Sequence, residues 1–234
     1  MIILALETST DACSVALGLP DRVIERFEVA PRKHAELLLP MVDELLLQAG
    51  LSKRQVNAVA FGRGPGAFTG VRLAASVAQG LAFGLSRPVL PVSSLAALAQ
   101  AEVDVADGRP IAAMLDARMG EVYLGLFRSD SDGLVSAIDA ERVLPPSEVR
   151  LPGEDTWWVV GSGWTAYRER FEAELGERVE VQPQPRYPRA SALLPLARRE
   201  LASGRWHAPA EAQPLYLRDK VALTVNERQL LKAG

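Results

Sequence analysis

The sequence predicts an α/β protein of two lobes, and three patterns point there. Strand-like segments at residues 2–6, 13–19 and 22–29, joined by the polar turns Glu7-Thr8-Ser9-Thr10-Asp11 and Pro20-Asp21, read as an antiparallel meander. A strand–helix–strand unit follows across residues 57–92, with the loop FGRGPGAFTGVR at its first corner. Past residue 110 the pattern restarts with a hairpin, residues 111–115 and 121–127 flanking Asp116-Ala117-Arg118-Met119-Gly120.

The intervening segments are read in order. Helical spacing over residues 33–49 ends at Gly50, a C-terminal stop. Residues 57–61 and 88–92 are strands around a helix at 70–85, and Ser93 or Ser94 caps a helix ending near Ala101. The charged residues 103–109 are expected to be a hinge. Beyond the hairpin come a strand at 157–160, helices at 164–175 and 191–202, and a short strand at 215–217. The expected division is residues 1–105, residues 106–217 and a tail at 218–234.

With 48% hydrophobic and 24% charged residues, the chain has the balance of an ordinary globular protein. Its net charge of −3 argues against an unaided grip on a polyanion, which needs clustered cations. Cys13 is the single cysteine, so neither a disulfide framework nor a thiolate metal cluster is expected. The apolar opening is interrupted by Glu7 and has no basic residues before it. It is therefore read as neither signal peptide nor membrane span, and the cytoplasm is the expected compartment.

Two helices carry more apolar surface than one sheet requires. On a helical wheel, residues 35–49 fill an apolar arc about 160° wide, where a stripe somewhat above 100° suffices. In residues 71–85 only Arg72, Ser76 and Gln79 are plainly polar, and six positions are Ala or Gly. A fully buried central helix and a subunit interface both answer this pattern, because either removes the same side chains from water.

The chemistry-bearing candidates are few. The loop through Gly64, Gly66 and Gly70 joins a strand to a helix N-terminus, a place that favours anions. It lacks the lysine of a phosphate-binding P-loop and the spacing of a dinucleotide fingerprint, so a tight structural turn explains it as well. Glu7 and Thr8 at the end of the first strand suit a metal or a water, or a turn with local hydrogen bonds. Val159-Val160-Gly161-Ser162-Gly163 repeats the strand–glycine–helix order, and Asp116, Arg118 and Glu121 mark a hairpin tip. His34 has Leu38 four residues on, not a second histidine, so the economical helical metal pair is missing and no metal site is expected. No nucleophile–base set has spacing in its favour.

LALETSTDACSVAL, HAELLLPMVDELL, GRGPGAFTGVR, LDARMGEVY and PLYLRDKVA, in that order, resemble the TsaB (YeaZ) family. The resemblance implies an actin/Hsp70/sugar-kinase-like (ribonuclease H-like) fold with mixed sheets flanked by helices. It implies a non-catalytic dimerisation subunit for N6-threonylcarbamoylation of adenosine 37 in tRNA. The partners implied are the catalytic paralogue TsaD and the ATPase subunit TsaE, with a homodimer when alone and tRNA touched only indirectly. No cofactor is expected to bind tightly, and ATP or ADP would sit at the face shared with the partner. On this reading the two apolar helices form the contact, through Leu38, Leu39, Val42, Leu46, Val71, Ala74, Ala75, Ala78 and Ala82. Glu7, Thr8, Gly64, Gly66, Thr69 and Gly70 mark where the superfamily holds phosphates. The alternatives are a nucleotide-binding phosphotransferase or ATPase using those same residues, and a glycoprotease-like hydrolase.

Overall fold

The computed structural model describes residues 1–218. β1 (Ile3–Glu7), β2 (Ala12–Gly18) and β3 (Val23–Val29) form the meander. α1 (His34–Ala49) then covers β2 and stops where Gly50 turns left-handed at φ 66°. β4 (Ala58–Gly62) and β5 (Val89–Val92) run parallel to β1, separated by α2 (Phe68–Leu85). The first sheet has the order β3-β2-β1-β4-β5.

α3 (Ser94–Gln100) is capped by the Ser93 hydroxyl, which accepts the Ala96 N–H at 3.1 Å. The expected hinge is instead a one-turn helix, α4 (Val103–Ala106), followed by a turn. β6 (Ile111–Arg118) and β7 (Glu121–Ser129) make the hairpin, and β8 (Val135–Ala137) and β9 (Arg142–Leu144) extend it. β10 (Trp157–Val160) lies parallel to β6. The helix expected over 164–175 is two helices, α5 (Ser162–Ala166) and α6 (Arg168–Leu175), broken at Tyr167, whose φ of −130° is not helical. β11 (Val179–Val181) completes a second sheet of order β11-β10-β6-β7-β8, with β9 on β7. Residues 215–217 form no strand; Leu215 N–H simply donates to the Arg63 carbonyl at 2.8 Å. Within the expected tail, residues 219–234 lie outside the described residues.

α7 (Ala190–Ala202) does not stay with the second lobe where sequence order places it. It packs across the first sheet, on β2, β1, β4 and β5, and beside α3. Strand alternation divides the interior accordingly. Ile3, Ala5, Ala60 and Leu90 face α7 and α3, sharing a core with Leu115, Phe127 and Trp158 of the second sheet. Leu4, Leu6, Val15, Val59 and Phe61 face α1 and α2. Met114, Leu124 and Trp157 pack on the far side against Trp164 and Phe171.

Candidate functional site

The glycine loop is shaped by what lies directly behind it. A Cβ at Gly70 would sit 1.9 Å from the Thr8 carbonyl oxygen, one at Gly66 2.4 Å from that of Ser9, and one at Gly62 1.9 Å from the Glu7 carboxylate. Three glycines thus let α2 and its entry press onto the end of β1. The seam is closed by hydrogen bonds: Thr8 Oγ1 donates to the Gly70 carbonyl at 2.7 Å, and Ala67 N–H donates to that of Ser9 at 2.7 Å. The second lobe repeats the device. Gly161, at φ 108°, brings its Cα so close to β6 that a Cβ would meet the Met114 carbonyl at 2.1 Å.

Glu7, Thr8 and Ser9 are buried. Glu7 Oε1 accepts the Ser9 N–H at 2.6 Å, and the Ser94 hydroxyl donates to Oε2 at 2.8 Å. The cleft between the lobes, about 770 Å³, lies in front of this seam and is lined by Arg72, Tyr187, Tyr216 and Arg218 among others. Of the residues expected to meet a phosphate, only Gly66 lines it; Glu7, Thr8, Gly64 and Gly70 are packed behind, and Thr69 is exposed outside. The loop needs its glycines to touch its own chain, which is the tight structural turn that the spacing left open beside a phosphate site. Phe68 covers the start of α2, with the Arg72 guanidinium 3.1 Å over its ring and 4.9 Å from that of Tyr216. At the hairpin tip, Asp116 pairs with Arg118 at 2.9 Å and Arg218 bonds Glu121, tying residue 218 to the second lobe.

His34 Nε2 lies 3.2 Å from the Ala12 carbonyl, and Leu38 is in the core. Among the described residues no group of three or more His, Cys, Asp or Glu could hold a metal ion. Cys13 is buried, its thiol pushed up to about 11 by desolvation and by the nearby Glu28 and Glu7.

The residues that the resemblance implies at the contact are for the most part buried in this chain. Leu38, Val42, Leu46, Ala74, Ala75, Ala78 and Ala82 are buried in the core of the first lobe, and Val71 is buried beside the cleft; of that set only Leu39 is exposed. The centre of a wide apolar arc goes to the sheet beneath, and the surplus lies at its edges. What α1 and α2 leave uncovered is Leu39, Leu47 at 82% exposure and Phe83 at 78%, the last beside Gly80 and Gly84, with Phe68 half-exposed at the cleft end of α2. Among the described residues a Cβ at either glycine would meet nothing within 4 Å. Among the described residues α2 is also the one helix long and apolar enough to cross a membrane, but its buried alanines pack into the core of the first lobe.

Comparison with known proteins is decisive for the family. The chain is 40% identical over 230 residues to the tRNA threonylcarbamoyladenosine biosynthesis protein TsaB of Escherichia coli, covering 95% of this chain and 96% of that one. The chain belongs to the TsaB family. The TsaB protein of Haemophilus influenzae is likewise 40% identical, over 94% of this chain and 95% of its own. The crystal structure of YeaZ from Pseudomonas aeruginosa superposes with a TM-score of 0.83 at 45% identity, covering 92% of this chain and 99% of that one. Another Pseudomonas aeruginosa structure, of a protein with similarity to peptidase YeaZ, gives 0.86 at 46%, covering 93% and 99%. Residues 27–224 also match the family described as TsaD, tRNA N6-adenosine threonylcarbamoyltransferase. The TsaB fold is thus an actin-like one, as the two mixed sheets indicate.

In this TsaB chain Glu7 acts as a buried structural acid. Burial raises its pKa above the ordinary carboxylate value, outweighing its hydrogen bonds from Ser9 and Ser94. The folded chain therefore keeps a proton that the unfolded chain releases. Stability is full below the ordinary value and falls as pH rises through the raised one. Glu7→Gln, which mimics the protonated form, is expected to flatten that fall when urea unfolding is followed upward in pH from the ordinary carboxylate value. A parent-like slope would show that Glu7 is not protonated in the fold.

Proposed function

We propose that this chain takes part in threonylcarbamoyladenosine biosynthesis as a non-catalytic subunit. On this reading the outer face of α1 and α2 docks the catalytic paralogue TsaD, with the ATPase TsaE joining the assembly. The observation that carries it is the pair Gly80 and Gly84 beside Phe83. Two exposed helical glycines cost about 1 kcal/mol each relative to alanine. Among the described residues nothing approaches them to explain that cost. Bare backbone next to a large exposed aromatic ring is a surface on which a second helix can lie close. Leu39 and Leu47 add apolar area from α1. A stable contact needs to bury more than about 1,000 Å² in total. Without the paralogue, the same face pairs two copies of this chain, and ATP or ADP is held at the shared face rather than inside this chain. The described residues offer no observation favouring the hydrolase or phosphotransferase readings.

Coexpression with TsaD followed by affinity capture and sizing tests the proposal. Phe83→Glu and Gly84→Arg are expected to weaken capture about a hundredfold or more, since each buries a charge where an apolar or bare surface is needed. Both positions are exposed, so the variants should melt within a few degrees of the parent. Capture at parental yield by both would remove α2 from the interface.

A further inference from the structure

After α7 the chain runs back along the first lobe before it reaches the second. His207 exchanges backbone hydrogen bonds with Val89 at the edge of β5, and the Gln79 amide donates to the Pro209 carbonyl at 3.0 Å. Ala212 is buried in the core that α1 and α2 cover. Residues 213–218, which form neither helix nor strand, then follow the cleft, with Leu215 to Arg218 lining it. The first lobe seats them through the Leu215 N–H on the Arg63 carbonyl and the Tyr216 ring, 6.2 Å from that of Phe68. The second lobe holds them at one place. Arg218, its side chain 15% exposed, bonds the Glu121 carboxylate and donates to the Arg118 carbonyl at 3.3 Å. The receiving tip is strained, since Arg118 and Met119 adopt φ of 61° and 55°, a region costly to residues with a Cβ. Such backbone persists where its surroundings hold it. Here Arg218 and Asp116 do so, the latter accepting the Arg118 N–H at 2.8 Å. Val71 lines the cleft yet is only 2% exposed. A Cβ on Gly64 would lie 3.2 Å from Val71 Cγ1 and 3.3 Å from the Leu215 carbonyl, so the segment and Val71 close on the same glycine.

We propose that residues 213–218 are a clasp on the cleft, seated on the first lobe and latched to the second by Arg218 on Glu121, and that release of this one latch opens the cleft beside Val71. Seat and latch are unequal. The seat is spread over a backbone hydrogen bond, an aromatic contact and the buried Ala212, whereas the latch is a single charged pair at a hairpin tip. A partly buried guanidinium–carboxylate pair is directional and stronger than an exposed one. A segment outside any sheet or helix has no ladder of its own to keep it down, so it lifts locally once that pair is gone. The clasp gives the cleft a covered and an open state while the core shared by the two lobes stays packed.

The test uses the full chain carrying Val71→Cys, a thiol on the covered wall. The native Cys13, fully buried in the first lobe, is a second thiol that only wider unfolding exposes. Labelling by a thiol reagent under native conditions, resolved by mass spectrometry, reads both sites at once. Adding Arg218→Met is expected to speed labelling at position 71 about tenfold or more and to leave Cys13 unchanged. Glu121→Gln is expected to give the same acceleration, and the two together no more than either, because each removes the same latch. Where Val71→Cys does not fold, hydrogen exchange of the Leu215 amide reads the same opening, quickening about tenfold against unchanged amides in β1. The proposal is overturned if neither variant speeds labelling at position 71 or exchange at Leu215. It is equally overturned if Cys13 accelerates in step, which would mean general destabilisation, or if the effects of the two variants multiply.

Discussion

Ala78→Arg is expected to yield no folded chain. Ala78 is fully buried on the side of α2 that lies against the first sheet, in the cluster that includes Val59 and Phe61. An arginine there must force apart a close-packed layer and leave a guanidinium with no acceptor. Overpacking and an unpaired buried charge together cost about 5 kcal/mol or more, comparable to the total stability of about 5–15 kcal/mol that a domain possesses. The measurement is far-UV circular dichroism and yield of the chain alone. A cooperative melt near the parental temperature would mean that α2 is not seated as described. The contrast with Phe83→Glu matters, because both substitutions put charge on the same helix. One should destroy the monomer, and the other should spare it and lose the partner.

Gly70→Ala is the second large effect, and its sign runs against the usual rule. In a helix interior alanine is more stable than glycine by about 1 kcal/mol. Gly80→Ala and Gly84→Ala, with open space around both positions, are expected to follow that rule and stabilise the isolated chain by about 0.5–1 kcal/mol each. At Gly70 the new methyl would lie 1.9 Å from the Thr8 carbonyl oxygen, a backbone atom that no rotamer change can move. The start of α2 must lift away, and the hydrogen bond from Thr8 Oγ1 to the Gly70 carbonyl is lost with it. A cost of about 3 kcal/mol or more is expected from this overpacking and lost bond together. Urea unfolding of the three alanine variants checks it. Three equal shifts would show that contact with the end of β1 does not set the requirement at Gly70.

Much of the fold could be read from the chain because its central strands are predominantly apolar. β1, β2, β4 and β10 are buried along their whole length and announce themselves. β8, β9 and β11 do not, since each is three residues long, with polar neighbours and only one or two apolar side chains. The break at Tyr167 lacks the glycine or proline that would mark it in sequence. The amphipathic pattern of α7 is legible, but which sheet it covers is a property of the whole topology. The same limit applied to the site. The apolar excess of α1 and α2 was legible, yet the residues expected at the contact included Ala74 and Ala78, which the core takes, and not Phe83 and Leu47, which are left exposed. Glu121 and Arg218, far apart in the chain, carried no local signal of their pairing; only the fold brings them together.

The return of α7 to the first sheet bears on how the protein is made. As the nascent chain leaves the ribosome, β1 to β5 emerge with α1 and α2 able to cover one side only, while Ala5, Ala60 and Leu90 on the other await a helix still to be translated. The half synthesised first cannot finish first. That face stays without its covering helix until the sequence past residue 190 is released.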